Sequence, residues 1–591
     1  MTLNLSLFSK FAALSFLAIF GTSFFIAFAL RDTFPEHPHF PGTFFSTSRN
    51  RPVQKIKSVI RIPCVGPRGI YVNQNTEDEL QGVALNLSFS EPVGGSYATL
   101  GLPYTLHTPN TRYGKYGYGE RSGETNETLV PWHLLSWAQL QNDCLAQNQD
   151  RFQDSMNIST RMRFSPSHRA KPRLEARTIS TGRTAIVLRG WEGYNFTSID
   201  MYHIRSLVAE AGLGSNADYA VFLLVDIKDK DNARRIFRND KSYEDALRDL
   251  VPDEFRDMTV LFDQDLLKSW YPRISEHSVF FQVFQPLQLF AQLFSGFDHY
   301  WQLEMDMKFT GNSRLFLDAL SKFAQNDPRK QSVERSSYFY IPKIHGPYEE
   351  FKAAINESLS GGGIWGPIQI ADIKHPIGPQ PPCSSPQEDD FTWGVGEEAD
   401  LILTNPLADV RTAKYWPFKS WMQGFKNGTD TSRYYSPVAM GRYSWNLLNA
   451  MHHAQASQGL ALPSEASPVS FALYHGLKVS FPPHPWFHQP QAQREVGIEE
   501  LDSLFNGGTP AQNARTNNGL SFGKALYNPA GSYKLFNGGT WWWVPGYPGR
   551  IMRHWMDQDR AAMPSMLRDM GDQIWAPMMA LHPVKHGDLG V

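Results

Sequence analysis

The sequence predicts an α/β fold in which a mixed, mostly parallel sheet is flanked by helices. Between Thr184 and Asp226, an apolar run is followed by a helix-like pattern and then by a second apolar run. Strand, helix and strand in this order form a βαβ unit, whose right-handed crossover joins parallel strands. A second alternation of helical and strand patterns follows between residues 284 and 323. With 13% aromatic and 19% charged residues among 591, the chain can also bury a large core.

The first unit consists of two buried strands and the helix between them. Thr184–Arg189 and Tyr219–Val225 are short apolar runs, which are typical of strands buried on both faces of a sheet. Apolar residues recur at helical spacing over residues 199–211, and Ser198 is the expected N-cap.

The second stretch continues the alternation toward the C-terminus. Phe284–Phe294 has a helical pattern, Tyr300–Asp306 is an apolar run that ends in acids, and Leu315–Phe323 predicts the next helix. Beyond a Pro- and Gly-rich insertion at residues 361–387, Gly441–His453 predicts a further helix.

Charged side chains follow the predicted strands at their carboxyl ends, where ligands of parallel sheets bind. Arg189 and Asp226 close the first two runs, and Glu304 and Asp306 close the third. Two acids at positions i and i+2 of a strand share one face, so both carboxylates can reach a single site. Hard cations such as Mn²⁺ or Mg²⁺ prefer carboxylate oxygens and also bind phosphates. Such a cation would neutralise the diphosphate leaving group of a sugar nucleotide.

Charge and cysteine content exclude several classes of protein. Lys and Arg number 56 and Asp and Glu 58, so the net charge is -2, which argues against a nucleic-acid binder. The glycine-rich dinucleotide and P-loop motifs do not occur. Three cysteines rule out a disulfide scaffold and leave at most one intrachain bridge among Cys64, Cys144 and Cys383.

The N-terminus carries an uncharged apolar segment, Phe11–Leu30, which is long enough to cross a bilayer. We predict a type II anchor with the remainder of the chain in the lumen; a signal peptide cleaved near Ala29 is the alternative. Asn-x-Ser/Thr sites beyond it fit the secretory pathway. The predicted organisation is a cytosolic tail at 1–10, an anchor at 11–30, a stem and irregular region at 31–180, a core at 181–490, and a C-terminal extension packed on the core at 491–591.

The segment Tyr300–Phe309, YWQLEMDMKF, resembles the YWRVEPDVKF type of segment in fungal α-1,2-mannosyltransferases of the KTR/MNT kind. Thr184–Arg189 looks like the first strand of that family, and Trp393–Leu401 is similar to its W-S-N-F-E-I-x-D-L segment. The chain resembles even more an uncharacterised fungal family of membrane-anchored proteins that shares the YWxxExD core.

The mannosyltransferase resemblance implies a GT-A-like (Rossmann-like) fold, a Golgi location, Mn²⁺ and a GDP-mannose donor. It implies that Glu304 and Asp306 bind the metal and that Arg189 contacts the nucleotide. Asp226 is expected at the same cofactor site because it closes the neighbouring parallel strand. The family's late metal-binding histidine corresponds best to His484, with His488 as the second choice, and its catalytic glutamate corresponds to Glu397.

The resulting hypothesis is a metal-dependent glycosyltransferase that acts on a glycan or glycoprotein acceptor, with Glu397 as base or nucleophile. A glycoside hydrolase that uses Glu397 with another acid is one alternative. A lumenal glycan-binding protein without catalytic activity is the other.

Overall fold

The structure is a computed structural model. It describes residues 60–72, 90–120, 130–152, 162–166, 174, 176–177, 180–228, 235–413, 416–489, 497–515, 538–542 and 546–585. Among them, no helix combines the length and the apolar character that crossing a bilayer requires. The predicted anchor at residues 11–30 lies outside the described residues.

Helices are distributed along the whole described chain. The α-helices are α1 (Tyr97–Leu100), α2 (Pro109–Tyr113), α3 (Trp137–Gln147), α4 (Ser198–Leu207), α5 (Asp240–Leu250), α6 (Gln264–Trp270), α7 (Val279–Gln282), α8 (Gln285–Leu293), α9 (Ser313–Asn326), α10 (Ser332–Arg335), α11 (Pro342–His345), α12 (Tyr348–Ser358), α13 (Trp445–His453), α14 (Ser467–Tyr474), α15 (Ile498–Asn506), α16 (Pro510–Arg515) and α17 (Tyr547–Met556). Helices α4 and α13 continue as π-helical turns, Val208–Leu213 and Ala454–Gln458.

Within the described ranges, the strands form one large sheet and three small ones. The strands are β1 (Leu106–His107), β2 (Thr184–Trp191), β3 (Tyr219–Ile227), β4 (Thr259–Asp263), β5 (His299–Glu304), β6 (Lys308–Phe309), β7 (Leu401–Leu403), β8 (Ala408–Asp409), β9 (Tyr434–Tyr435), β10 (Met440–Ser444), β11 (Val479–Ser480), β12 (Arg568–Met570), β13 (Gln573–Pro577) and β14 (Ala580–Leu581).

The central sheet has seven strands in the order β11-β7-β10-β5-β2-β3-β4. Strands β5, β2, β3 and β4 are mutually parallel, β11 is parallel to β7, and β10 runs antiparallel between β5 and β7. Helices pack against this sheet and share one apolar core with it. The predicted α/β class with a mixed, mostly parallel sheet is therefore confirmed.

The first predicted unit forms with small differences at its ends. Strands β2 and β3 pair in parallel along their whole predicted length, and most of their residues are buried, as their apolar runs predict. The N-cap of α4 is Thr197 rather than Ser198: its side chain accepts from the backbone N–H of Asp200, and the Asp200 side chain accepts from that of Thr197.

The helix predicted over residues 441–453 is wrong in its first third. Met440–Ser444 forms strand β10, because it is paired on one side with β5 and on the other with β7. The helix begins only at Trp445, after the Ser444 side chain caps it. Tertiary pairing thus decides the conformation of a run whose local pattern favours a helix.

The described part of the predicted stem packs into the same core as the sheet. Trp137 and Leu145 of α3 are buried there, and a disulfide joins Cys64 to Cys144. Helix α2 is held by Arg112, which pairs with the buried Glu210. The predicted boundary at residue 180 therefore does not separate two packing units within the described residues.

Candidate metal centre

The site lies at the carboxyl edge of the central sheet, where the strand order reverses. From β2 the chain proceeds outward through β3 to β4, and then returns to place β5 on the other side of β2. Ligands of open α/β sheets bind at such a reversal point. Arg189 of β2 and Glu304 of β5 are register partners there, and their side chains form an ion pair.

A tight turn presents the two acids. Strand β5 ends at Glu304, and the N–H of Met307 donates to the Glu304 carbonyl at 3.1 Å, so the chain turns before β6 begins. Asp306 is thereby placed on this turn, next to Glu304 in space. Lys308 stabilises the turn, since its buried ammonium pairs with Asp200 at 3.0 Å and donates a hydrogen bond to the Met305 carbonyl.

The C-terminal segment brings a histidine to these acids. Strand β14 pairs antiparallel with β6, and the N–H of Val584 donates to the Asp306 carbonyl at 2.7 Å. His582, between these two contacts, is almost completely buried. Its Nδ1 donates to the Trp542 carbonyl, so its Nε2 faces the carboxylates.

Glu304, Asp306 and His582 form the candidate metal centre, which we call the EDH cluster. His582 Nε2 lies 3.0 Å from Glu304 Oε2 and 3.3 Å from Asp306 Oδ1. One ligand atom from each of the three lies within 4.8 Å of the others. The remaining carboxylate oxygens are contacted by cations, Oε1 of Glu304 by Arg189 and Oδ2 of Asp306 by Lys585.

The electrostatics of the EDH cluster are dominated by these opposite charges. Burial by itself raises the pKa of Asp306, but the charges of His582 and Lys585 outweigh it and hold this pKa well below its usual range. Burial by itself lowers the pKa of His582, but Asp306 and Glu304 outweigh it and raise this pKa. The Asp306 carboxyl group is therefore held in its ionised form beside the His582 imidazole.

The donor set fits a divalent cation. Two carboxylates and one imidazole suit Mn²⁺, which accepts both oxygen and nitrogen ligands, better than Mg²⁺, which prefers oxygen. Metal-bound histidines usually donate their second ring N–H to a carbonyl or carboxylate, which fixes the tautomer. The hydrogen bond from His582 Nδ1 to Trp542 has this form.

His484, the predicted third ligand, lies at the carboxyl edge of the sheet, as the EDH cluster does, but it is not part of that cluster. Its Nε2 donates to the Thr404 carbonyl at 2.9 Å, and its ring packs on Trp541 at 5.2 Å. Trp541 also packs on His582 at 5.6 Å and so lies between the two histidines. The segment that follows β14, and not the loop after β11, lies along the Glu304–Asp306 turn, since the Val584 N–H donates to the Asp306 carbonyl. The backbone of His488, the second choice, pairs with that of Gly539 in an isolated antiparallel β-bridge.

Glu397, the predicted catalytic residue, lies at the opposite edge of the sheet. Tyr443 of β10 is the register partner of Leu401 in β7 on one side and of Tyr300 in β5 on the other. Leu401 therefore lies at the same height in the sheet as the start of β5. Glu304, at the end of β5, is four residues or about 13 Å further along. Glu397 precedes Leu401 and pairs with Arg329 at 2.8 Å. Glu397 and the EDH cluster are therefore separated by the length of strand β5.

The other two predicted residues do lie at the carboxyl edge. Arg189 contacts Glu304 directly, and Asp226 is the register partner of Trp191, two residues beyond Arg189. Burial raises the pKa of Asp226 to about 6, although Lys228 and Arg189 lower it. Residue Trp191 is 37% exposed, and the Lys228 ammonium lies 5.6 Å from the centre of its ring. An exposed aromatic ring beside a cluster of charges offers a stacking surface.

The fold and the EDH cluster define an α/β protein with a candidate divalent-metal centre at a strand-order reversal. The chain belongs to the family described as protein of unknown function (DUF3405), whose model matches residues 108–586. That match includes every residue of the EDH cluster. No curated protein and no solved structure matches the chain.

Proposed function

We propose that the protein is a metal-dependent glycosyltransferase that uses a sugar-nucleotide donor. The observation that carries this proposal is the convergence of Glu304, Asp306 and His582 at the carboxyl edge, between β2 and β5. Nucleotides bind at this position in α/β sheets, and a carboxylate–imidazole set there is suited to a cation that holds a diphosphate.

Two further features support the finer assignment. Parallel strands β4, β3, β2 and β5 beside the antiparallel β10 are compatible with a GT-A-like sheet. The resemblance of Tyr300–Phe309 to the fungal α-1,2-mannosyltransferases makes GDP-mannose the first donor to test and a glycan or glycoprotein the expected acceptor.

In this proposal, Glu304, Asp306 and His582 would hold Mn²⁺. The cation supplies Lewis-acid neutralisation of the negative charge that develops on the leaving diphosphate. Arg189, beside the cluster, contributes a second positive charge to the same anion. Trp191 and Asp226 border the space in which the nucleoside is expected.

The location we propose is the lumen of the Golgi, with a single N-terminal anchor. The Cys64–Cys144 disulfide supports a secretory compartment, since disulfides persist where the environment is oxidising.

A glycoside hydrolase receives less support. That mechanism needs two carboxyl groups that flank the scissile bond, whereas Glu304 and Asp306 face the same imidazole nitrogen. Glu397, which the hydrolase alternative requires, lies at the other edge of the sheet.

The direct test assays the full-length protein with a panel of sugar nucleotides, GDP-mannose first, with and without Mn²⁺. We expect donor hydrolysis or transfer that requires the metal and is lost in Asp306→Asn. Glu397→Gln, which removes a carboxylate at the opposite edge, serves as the matched control and should keep the activity. Failure of every donor, together with unchanged nucleotide binding in Asp306→Asn, would overturn the proposal.

A further inference from the structure

Lys585 contacts the EDH cluster in an unusual way. Its Nζ donates to Asp306 Oδ2, yet the Lys585 side chain is 60% exposed while that of Asp306 is only 9% exposed. The other oxygen of Asp306 faces His582. A solvent-exposed ammonium therefore occupies one oxygen of a buried carboxylate that belongs to the candidate metal centre.

The backbone around Lys585 is fixed although its side chain is exposed. Val584 is hydrogen-bonded to Asp306 through the backbone, and β14 is paired with β6 just before it. The ammonium can thus leave Asp306 by rotation about the side-chain bonds, with no change in the position of the chain.

A divalent cation in the EDH cluster would oppose the contact between Lys585 and Asp306. Its charge repels the ammonium across the shared carboxylate, and the ammonium has no lone pair with which to bind the cation. An anion on the metal would attract the released ammonium. Arg189 forms the corresponding ion pair with Glu304. Each carboxylate of the EDH cluster thus has one basic side chain beside it.

We propose that Lys585 is a diphosphate-binding residue that contacts Asp306 in the metal-free protein and turns to a metal-bound diphosphate when the cluster is loaded. The inference rests on the proposed function and deepens it. It assigns the substrate class, a ligand with two adjacent phosphates that meets the metal, Arg189 and Lys585 together.

The test measures two affinities in the full-length protein, first for Mn²⁺ alone and then for inorganic pyrophosphate at saturating Mn²⁺. Lys585→Gln is expected to bind Mn²⁺ about five-fold more tightly, because an exposed ion pair no longer competes. It is expected to bind pyrophosphate roughly ten-fold more weakly, because a charge-assisted hydrogen bond is lost. Lys585→Arg should retain most of the pyrophosphate affinity.

Lys343→Gln provides the matched control, because Lys343 is 62% exposed and pairs with Glu91, which is not part of the EDH cluster. It should change neither affinity. Inorganic phosphate in place of pyrophosphate should show a smaller loss in Lys585→Gln, which separates a diphosphate site from a general anion site.

Three outcomes would overturn the inference. Both affinities of Lys585→Gln within two-fold of wild type would make Lys585 an ordinary surface residue. Tighter Mn²⁺ binding with unchanged pyrophosphate binding would make it only a counter-ion of Asp306. Absence of Mn²⁺ binding in the wild-type protein would overturn the proposed function itself, which the first two outcomes leave standing.

Discussion

The candidate site depends on single side chains whose positions are set by backbone contacts. His582 is oriented by the Trp542 carbonyl, and Asp306 is placed by a turn that Lys308 supports. Such contacts fix the donor atoms before a ligand arrives, which reduces the entropy lost on binding.

Replacing Trp191 should weaken nucleotide binding without affecting the metal. Stacking of a base on an aromatic ring contributes about 1–3 kcal/mol, so Trp191→Ala should raise the Kd for GDP roughly ten-fold or more at saturating Mn²⁺. Titration calorimetry with Mn²⁺ alone should give the wild-type affinity. Val395→Ala, at an exposed apolar residue on the other edge of the sheet, is the control. Equal GDP affinities in wild type and Trp191→Ala would exclude stacking.

Glu334 should make the stability depend on pH. Burial is the main cause that raises its pKa from 4.5 to about 7, although the Ile364 N–H and Arg335 lower it. The folded state therefore holds this proton more tightly than the unfolded state. Its stabilising contribution is complete below about pH 4.5 and is lost as pH rises through about 7, by roughly 3 kcal/mol in total.

Urea unfolding at a series of pH values tests this prediction. The difference in unfolding free energy between wild type and Glu334→Gln should change across pH 4.5–7 and remain constant above that range. The exposed Glu357→Gln should show no such change relative to wild type. A constant difference for Glu334→Gln across the range would mean that the acid titrates normally.

At the scale of elements, the sequence predicts what depends on local pattern and misses what depends on pairing. The apolar runs of β2 and β3 and the acids at the end of β5 are visible because buried strands and their polar ends leave local signals. The role of His582 is not visible, since it lies 278 residues from Glu304 and follows a strand of only two residues. Likewise, the register of β7 that removes Glu397 from the site arises from tertiary pairing alone.

Helix α2 should be held in place by one buried ion pair. Arg112 NH1 pairs with Glu210, and both side chains are almost fully buried. Arg112→Met would leave Glu210 without its cationic partner, and we expect a loss of about 3–5 kcal/mol in unfolding free energy by urea titration. Arg68→Met, which removes an exposed pair with Glu120 at 3.4 Å, should cost under about 1 kcal/mol. Similar losses in both variants would contradict the assigned role of burial.

At the scale of the molecule, the described N-terminal and C-terminal segments are parts of one packed body. A disulfide ties Cys64 to α3, and the C-terminal segment completes the EDH cluster over the central sheet. Because 80 residues separate Cys64 from Cys144, the bridge restricts the unfolded chain considerably.

Removing the bridge should therefore destabilise the protein as a whole. Cys144→Ser is expected to lose about 2–4 kcal/mol of unfolding free energy, and a reducing agent should lower the Tm of the wild-type protein. Cys383→Ser, at a free cysteine, is the matched control and should unfold like wild type. An unchanged Tm for Cys144→Ser would show that packing alone holds the segment.

The EDH cluster is proposed to be a divalent-metal site formed by elements far apart in sequence. Mn²⁺ titration followed by electron paramagnetic resonance tests it in wild type, His582→Gln and His484→Gln. The expected result for such a site is one bound Mn²⁺ per wild-type chain, an affinity at least about ten-fold weaker in His582→Gln, and near wild-type binding in His484→Gln. Absence of stoichiometric Mn²⁺ in wild type, or equal binding by wild type and His582→Gln, would contradict it.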